Sequence, residues 1–124
     1  MTDEILETKA LKVERDRDGL TGVGNRLAYE HMLQHKNSHT EEIPGSGFLM
    51  CDLNDLKGVN DRFGHDKGDE YIRRSADIIR EAFPGAPLFR IGGDEFVVQL
   101  DGLGQEQVTR GILAMERAVK AYSD

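Results

Sequence analysis

Three features of this sequence predict an α+β fold. Phe48-Leu-Met-Cys51 is a short apolar run of strand length. Leu88 to Ile91 and Glu95 to Leu100 flank Gly92-Gly93-Asp94 as a tight hairpin. Around these strands, apolar residues recur at helical spacing. With 124 residues, 38% of them hydrophobic and 31% charged, the chain has the length of one domain and enough apolar content to bury a core.

The elements follow in order. Residues 3 to 18 are mostly charged with Leu6, Ala10 and Val13 at helical spacing, which predicts an exposed or partner-packed helix; residues 1–17 are set apart as an N-terminal signalling or linker helix, and 18–124 as the domain. Asp18 to Arg26 holds three glycines and reads as a loop, after which Asn25 caps a helix running towards His39. Ser38 to Gly47 is a loop. Phe48 to Cys51 is continuously apolar, which suits a strand covered on both faces, and it ends at Asp52. A helix is expected from Asp69 to Phe83, because Ile72, Ala76, Ile79 and Phe83 share one face, and Pro84-Gly85 and Pro87 stop it. A last helix spans 106 to 122, with Val108, Ile112, Met115 and Val119 on one stripe and Gly111 as a weak point.

The net charge of −7, with no run of Lys and Arg, excludes a surface that tracks nucleic-acid phosphates. The longest apolar stretch is far too short to cross a bilayer, and the acidic start Thr2-Asp3-Glu4 does not resemble a signal peptide, so direct membrane contact is not expected. Cys51 is the single cysteine, which excludes an intrachain disulfide and fits a reducing cytoplasm.

Two acidic clusters sit where strands meet turns. Asp52, Asp55, Asp61, Asp66, Asp69 and Glu70 crowd one stretch together with Lys57, Arg62 and Lys67, and Asp94-Glu95 lies on the hairpin. An acid ending a strand and another on a neighbouring hairpin can converge on a hard cation that leaves positions free for phosphate, as phosphoryl or nucleotidyl transfer requires. The ordinary alternative is acids in solvated turns, with Asp69 a helix N-cap. The combination with Lys57, Asn60, His65 and two adjacent glycines favours a site. An EF-hand loop opening at Asp52 fails at Leu56 and Lys57, and a P-loop at Gly19 to Gly24 fails because Asn25-Arg26 replaces its Lys-Ser/Thr. His31, His35 and His39 share a helical spacing but have no carboxylate or cysteine companion, so an exposed helix face is the preferred reading.

Asp18-x-Leu-Thr-Gly-x-x-Asn-Arg26, Asp52-Leu-Asn-Asp-Leu-Lys-Gly-Val-Asn-Asp61, Gly64-His-Asp-Lys-Gly-Asp69 and Arg90-Ile-Gly-Gly-Asp-Glu-Phe96 together resemble the successive motifs of the GGDEF family of diguanylate cyclases. The resemblance implies a ferredoxin-like palm with a central antiparallel sheet, related to nucleotide cyclases and polymerases, which condenses two GTP into cyclic di-GMP in bacterial second-messenger signalling. It implies Mg²⁺, with Mn²⁺ as a substitute, held by Asp52, the Leu53 carbonyl and Asp94, with Glu95 beside them. Asn60 and Asp69 match the guanine-reading residues, with His65 between them. Lys57 matches the lysine that stabilises phosphate charge, and the amides around Asp55 and Leu56 match those that cradle the phosphates. Asp94, Glu95 and Lys57 thus stand as catalytic candidates. Gly92 and Gly93, lacking side chains, leave room for a ribose and phosphate. Each domain of the family binds one GTP, so catalysis implies a homodimer, and a fused or partner sensor domain implies the input.

The sequence departs from the family at three places. Asn54 stands where a second aspartate is frequent. Phe83-Pro-Gly-Ala86 stands where the product-inhibition motif Arg-x-x-Asp would begin, so that site is expected to be absent. Family members continue with a further strand, helix and strand that bring a lysine and an arginine to the terminal phosphates. This sequence stops at Asp124, which implies a fold lacking those C-terminal strands and an open edge on the Phe48 to Asp52 strand. The alternative function is a GTP-binding regulatory or interaction module without turnover.

Overall fold

The computed structural model describes residues 15–37 and 47–123. In chain order these form α1 (Arg26–Asn37), β1 (Phe48–Asp52), α2 (Leu56–Phe63), α3 (His65–Ala82), β2 (Leu88–Gly92), β3 (Glu95–Gln99) and α4 (Gln105–Ser123). The helix expected over 3 to 18 and the loop after α1 lie largely outside the described residues.

The sheet is antiparallel in the order β1-β3-β2, so the hairpin strand β3 is central. Its register sets the two faces. Leu49 opposes Val98 and Cys51 opposes Phe96, while Leu88 opposes Val98 from the other side. This face packs on the α3 stripe of Ile72, Ala76, Ile79 and Phe83, with Ile112 and Met115 of α4 at the margin. Phe96, Val97 and Val98 are buried completely or nearly so, as befits a strand covered on both faces. On the opposite face α1 packs over β2, and its Tyr29 ring meets Phe89 at 5.8 Å and Phe48 at 6.3 Å.

Asn25 caps α1 as its residue type predicts: its side-chain oxygen accepts the Ala28 N–H at 3.0 Å. The segment before it folds onto β2, since Gly24 N–H donates to the Leu88 carbonyl and Arg90 N–H to the Gly24 carbonyl.

Three elements differ from the sequence expectation. β1 is not covered on both faces: Phe48, Met50 and Asp52 are exposed and Leu49 and Cys51 half-buried, because among the described residues β1 pairs with β3 alone and α1 touches it at Phe48. α2 was not expected, and α3 begins at His65 rather than Asp69, which places Asp69 in the second turn and not at an N-cap. Gly64, at φ 89°, turns the chain sharply enough to separate the two helices. Gly111 is no weakness of α4: a Cβ there would collide with the buried Phe83 ring, so its bareness lets α4 close on α3.

Candidate functional site

β1 ends at Asp52, whose register partner on β3 is Glu95. The next residue, Leu53, donates its N–H to the Asp94 carbonyl at 2.9 Å, so the chain leaving β1 is tethered to the hairpin turn. Asp52, Leu53, Asp94 and Glu95 are thereby gathered at one end of the β1–β3 pair, with Asp52 and Asp94 exposed and Glu95 half-buried.

Asp55 reverses the chain into α2 in the left-handed conformation, φ 59° and ψ 36°, which aspartate tolerates better than most residues. Its carboxylate does not cap α2; it pairs with Arg62 Nη2 at 2.5 Å, over a Gly58 whose Cβ would run into it. The first-turn amides of α2, starting at Leu56 and Lys57, therefore have no side-chain cap from Asp55, and such a helix start attracts an anion. The Lys57 side chain stands exposed in the same turn.

Asn60 and Asp69 belong to different helices and are brought together by Gly68. The Asn60 amide lies against the Gly68 backbone so closely that any Cβ there would overlap it, and Asp69 is the next residue. His65 opens α3 with its side chain exposed.

The hairpin turns through Gly93-Asp94, between paired Gly92 and Glu95, with an irregularity between Arg90 and Gly92. Arg90 holds it: Nη2 donates to the Gly93 carbonyl at 3.0 Å, and Nη1 pairs with Asp18 at 3.2 Å. Burial pushes the Asp18 carboxyl up. The hydrogen bonds from the Thr21 hydroxyl and amide, together with the Arg90 charge, outweigh it and hold the group below its ordinary value of 3.8. Gly93 has no need of glycine for the fold: its φ is not positive, and an added Cβ would meet nothing within 4 Å.

Among the described residues no three His, Cys, Asp or Glu side chains form a metal cage. The oxygen donors gathered here are the Asp52 and Asp94 carboxylates and the Leu53 carbonyl. This set fits Mg²⁺, which keeps several waters and takes its remaining oxygens from substrate phosphates. A cavity of about 570 Å³ touches the site only at Asp52, Leu53, Asn54 and Asp55 and is otherwise walled by Tyr71 and largely by apolar residues of α3 and α4, among them Ile78, Ile79, Met115 and Val119; Lys57, Asn60, Asp69, Asp94 and Glu95 do not line it.

Sequence reasoning misses the part played by four residues. In the sequence Arg62 is one base in an acidic run, and Asp18 and Arg90 are letters of separate motifs. Their pairing spans 72 positions, which no local pattern announces. Tyr71, whose hydroxyl reaches the Asn54 carbonyl, carried no signal beyond its nearness to Asp69.

Comparison with known proteins identifies the family. The model of the family described as diguanylate cyclase, GGDEF domain, matches residues 15–124. The chain is 40% identical over 87 residues to diguanylate cyclase DgcS of Shewanella oneidensis, covering 68% of this chain and 29% of that protein. It is 32% identical over 113 residues to the probable diguanylate cyclase DgcC of Escherichia coli K12, covering 90% of this chain and 30% of that one. The chain thus spans under a third of the length of these relatives. A crystal structure of the coiled coil and GGDEF domain of DgcB from Caulobacter crescentus, in complex with c-di-GMP, superposes with a TM-score of 0.79 at 26% identity, covering 92% of this chain and 61% of that one. The α+β architecture, the end of the sheet where the acids meet and the match over residues 15–124 lead to one conclusion: this chain belongs to the GGDEF family of diguanylate cyclase domains.

Proposed function

We propose that this chain carries the GTP-binding site of a diguanylate cyclase and, with a second copy facing it, joins two GTP into cyclic di-GMP with release of two pyrophosphates. The observation that carries the reading is the gathering of Asp52, Leu53, Asp94 and Glu95 at one sheet end, directly followed by the uncapped start of α2.

In this reading Asn60 and Asp69 hydrogen-bond the guanine edge, the amide and the carboxylate together meeting its N1, N2 and O6 positions. ATP, with the opposite pattern, would leave them unpaired, which is a strong penalty for a wrong base. The amides at Asp55 and Leu56 cradle the phosphates, and Lys57 balances their charge. The bareness of Gly92 and Gly93 admits the ribose against the hairpin. Asp52, the Leu53 carbonyl and Asp94 would hold Mg²⁺ or Mn²⁺, which supplies charge neutralisation at the triphosphate and lowers the pKa of a bound hydroxyl. The Asp94 carboxylate takes the proton from the ribose 3′-hydroxyl. The 3′-oxygen bonds to the α-phosphorus of the facing GTP, and the bond to pyrophosphate breaks.

The test is titration of the purified chain with GTP and ATP, with and without Mg²⁺. GTP is expected to bind in a metal-dependent way and in preference to ATP, and Asp52→Ala is expected to abolish the metal dependence. Equal binding by that variant, or without metal, refutes the site. A second reading is a GTP-binding regulatory module without turnover. Cyclic di-GMP formed by the purified chain from GTP and Mg²⁺ decides against it.

A further inference from the structure

Tyr71 lies on α3 two residues after Asp69, and its hydroxyl donates to the Asn54 carbonyl at 2.8 Å. That carbonyl and the Asp55 N–H belong to one planar peptide group and point in opposite directions, so whatever anchors the carbonyl also sets the direction of the N–H. On the reading above, the Asp55 N–H is the first donor of the phosphate cradle. The neighbouring peptides are held by other means: the Leu53 N–H by the Asp94 carbonyl, and the Asp55 carbonyl by the Val59 N–H at 3.0 Å, while the Asp55 side chain pairs with Arg62. The left-handed Asp55 backbone belongs to a sparsely populated region that persists where surrounding contacts enforce it. Of these contacts, the hydroxyl of Tyr71 is the one that grips the Asn54–Asp55 peptide group itself and comes from the helix bearing Asp69.

We propose that Tyr71 is a positioning residue, which orients the Asn54–Asp55 peptide for the triphosphate and ties the guanine-reading helix to the phosphate loop. The proposal rests on the GTP reading and deepens it. It separates two parts of the nucleotide: base reading by Asn60 and Asp69 does not pass through this hydrogen bond, whereas phosphate binding does.

Wild-type and Tyr71→Phe chains are compared by calorimetric titration with GTP and with GMP in the presence of Mg²⁺, alongside thermal melts. Phenylalanine keeps the ring in the cavity wall and removes the hydroxyl alone. GTP affinity is expected to fall about five- to ten-fold, the effect of one net hydrogen bond, while GMP affinity changes by less than about two-fold. A merely structural tyrosine would weaken both ligands alike and lower the melting temperature. Unchanged GTP binding by the variant, or equal losses for GTP and GMP, overturns the role of Tyr71 while leaving the GTP site standing. A wild-type chain that binds neither nucleotide overturns the GTP reading itself, and the role of Tyr71 with it.

Discussion

Gly93 and Gly68 show two different reasons for a missing side chain. At Gly68 the reason is internal, since the Asn60 amide occupies the space of a Cβ. At Gly93 the fold makes no such demand: the backbone is ordinary and the space around it is open. That openness is what a nucleotide lying on the hairpin would use. Gly93→Ala is therefore expected to melt at the same temperature or slightly higher, because alanine narrows the unfolded chain's freedom. Its GTP affinity should fall roughly ten-fold or more, equivalent to about 1.4 kcal/mol. A lower melting temperature would return Gly93 to the fold and remove it from the site.

The two helices α2 and α3 carry Leu56, Lys57, Asn60, His65 and Asp69 of the candidate site, and they are also the hardest elements to read from sequence. Leu56-Lys-Gly-Val-Asn-Asp-Arg-Phe63 is rich in poor helix formers and has no side-chain cap, so its local preference is weak. Its helical state is enforced by packing on α3. The true start of α3 had a signal, for Gly68 extends the stripe of Ile72, Ala76, Ile79 and Phe83 one turn backwards, and it is buried. A glycine does not count as apolar in a periodicity argument, so the apolar stripe alone reaches back no further than Ile72. Gly111 teaches the same lesson on α4. Alanine at that site would gain helix propensity of about 1 kcal/mol but drive a methyl into the buried Phe83 ring at a cost of about 1–3 kcal/mol. Gly111→Ala is expected to lower stability by about 1 kcal/mol in urea unfolding. A gain would show that Phe83 moves aside freely.

Across the molecule, two ion pairs fasten the peripheral segments to the sheet. Asp18–Arg90 joins the first loop to β2, and Asp101–Lys36 joins α1 to the turn after β3 at 2.8 Å. At Asp101, as at Asp18, burial works to raise the carboxyl pKa. The hydrogen bonds from Lys36 and Gln99, the Lys36 charge and the Gly47 amide prevail and lower it below 3.8. A carboxyl whose pKa is lower in the folded chain than in the unfolded one adds stability above the unfolded value and loses it as pH falls through the folded value. Stability is thus expected to be level near neutrality and to fall below about pH 4. The double variant Asp18→Asn, Asp101→Asn should be less stable than wild type at pH 7, by about 1–3 kcal/mol, and should lose less on acidification. Parallel pH curves for variant and wild type would show that these pairs do not govern the acid limb.

Spacing and residue type were enough to establish the α+β class, the hairpin, the Asn25 cap and the long helices, because these depend on neighbours within a few positions. Four motifs in order also sufficed to point to the family. The sequence could not announce that Asp52 faces Glu95, that Leu53 is bonded to Asp94, that Asn60 rests on Gly68, or that Tyr71 reaches Asn54. Nor could it show that β1 leaves Met50 exposed, for burial depends on which elements arrive on each face. These are contacts between distant segments, set by strand register and helix packing, and they turn a list of acids, amides and glycines into a site.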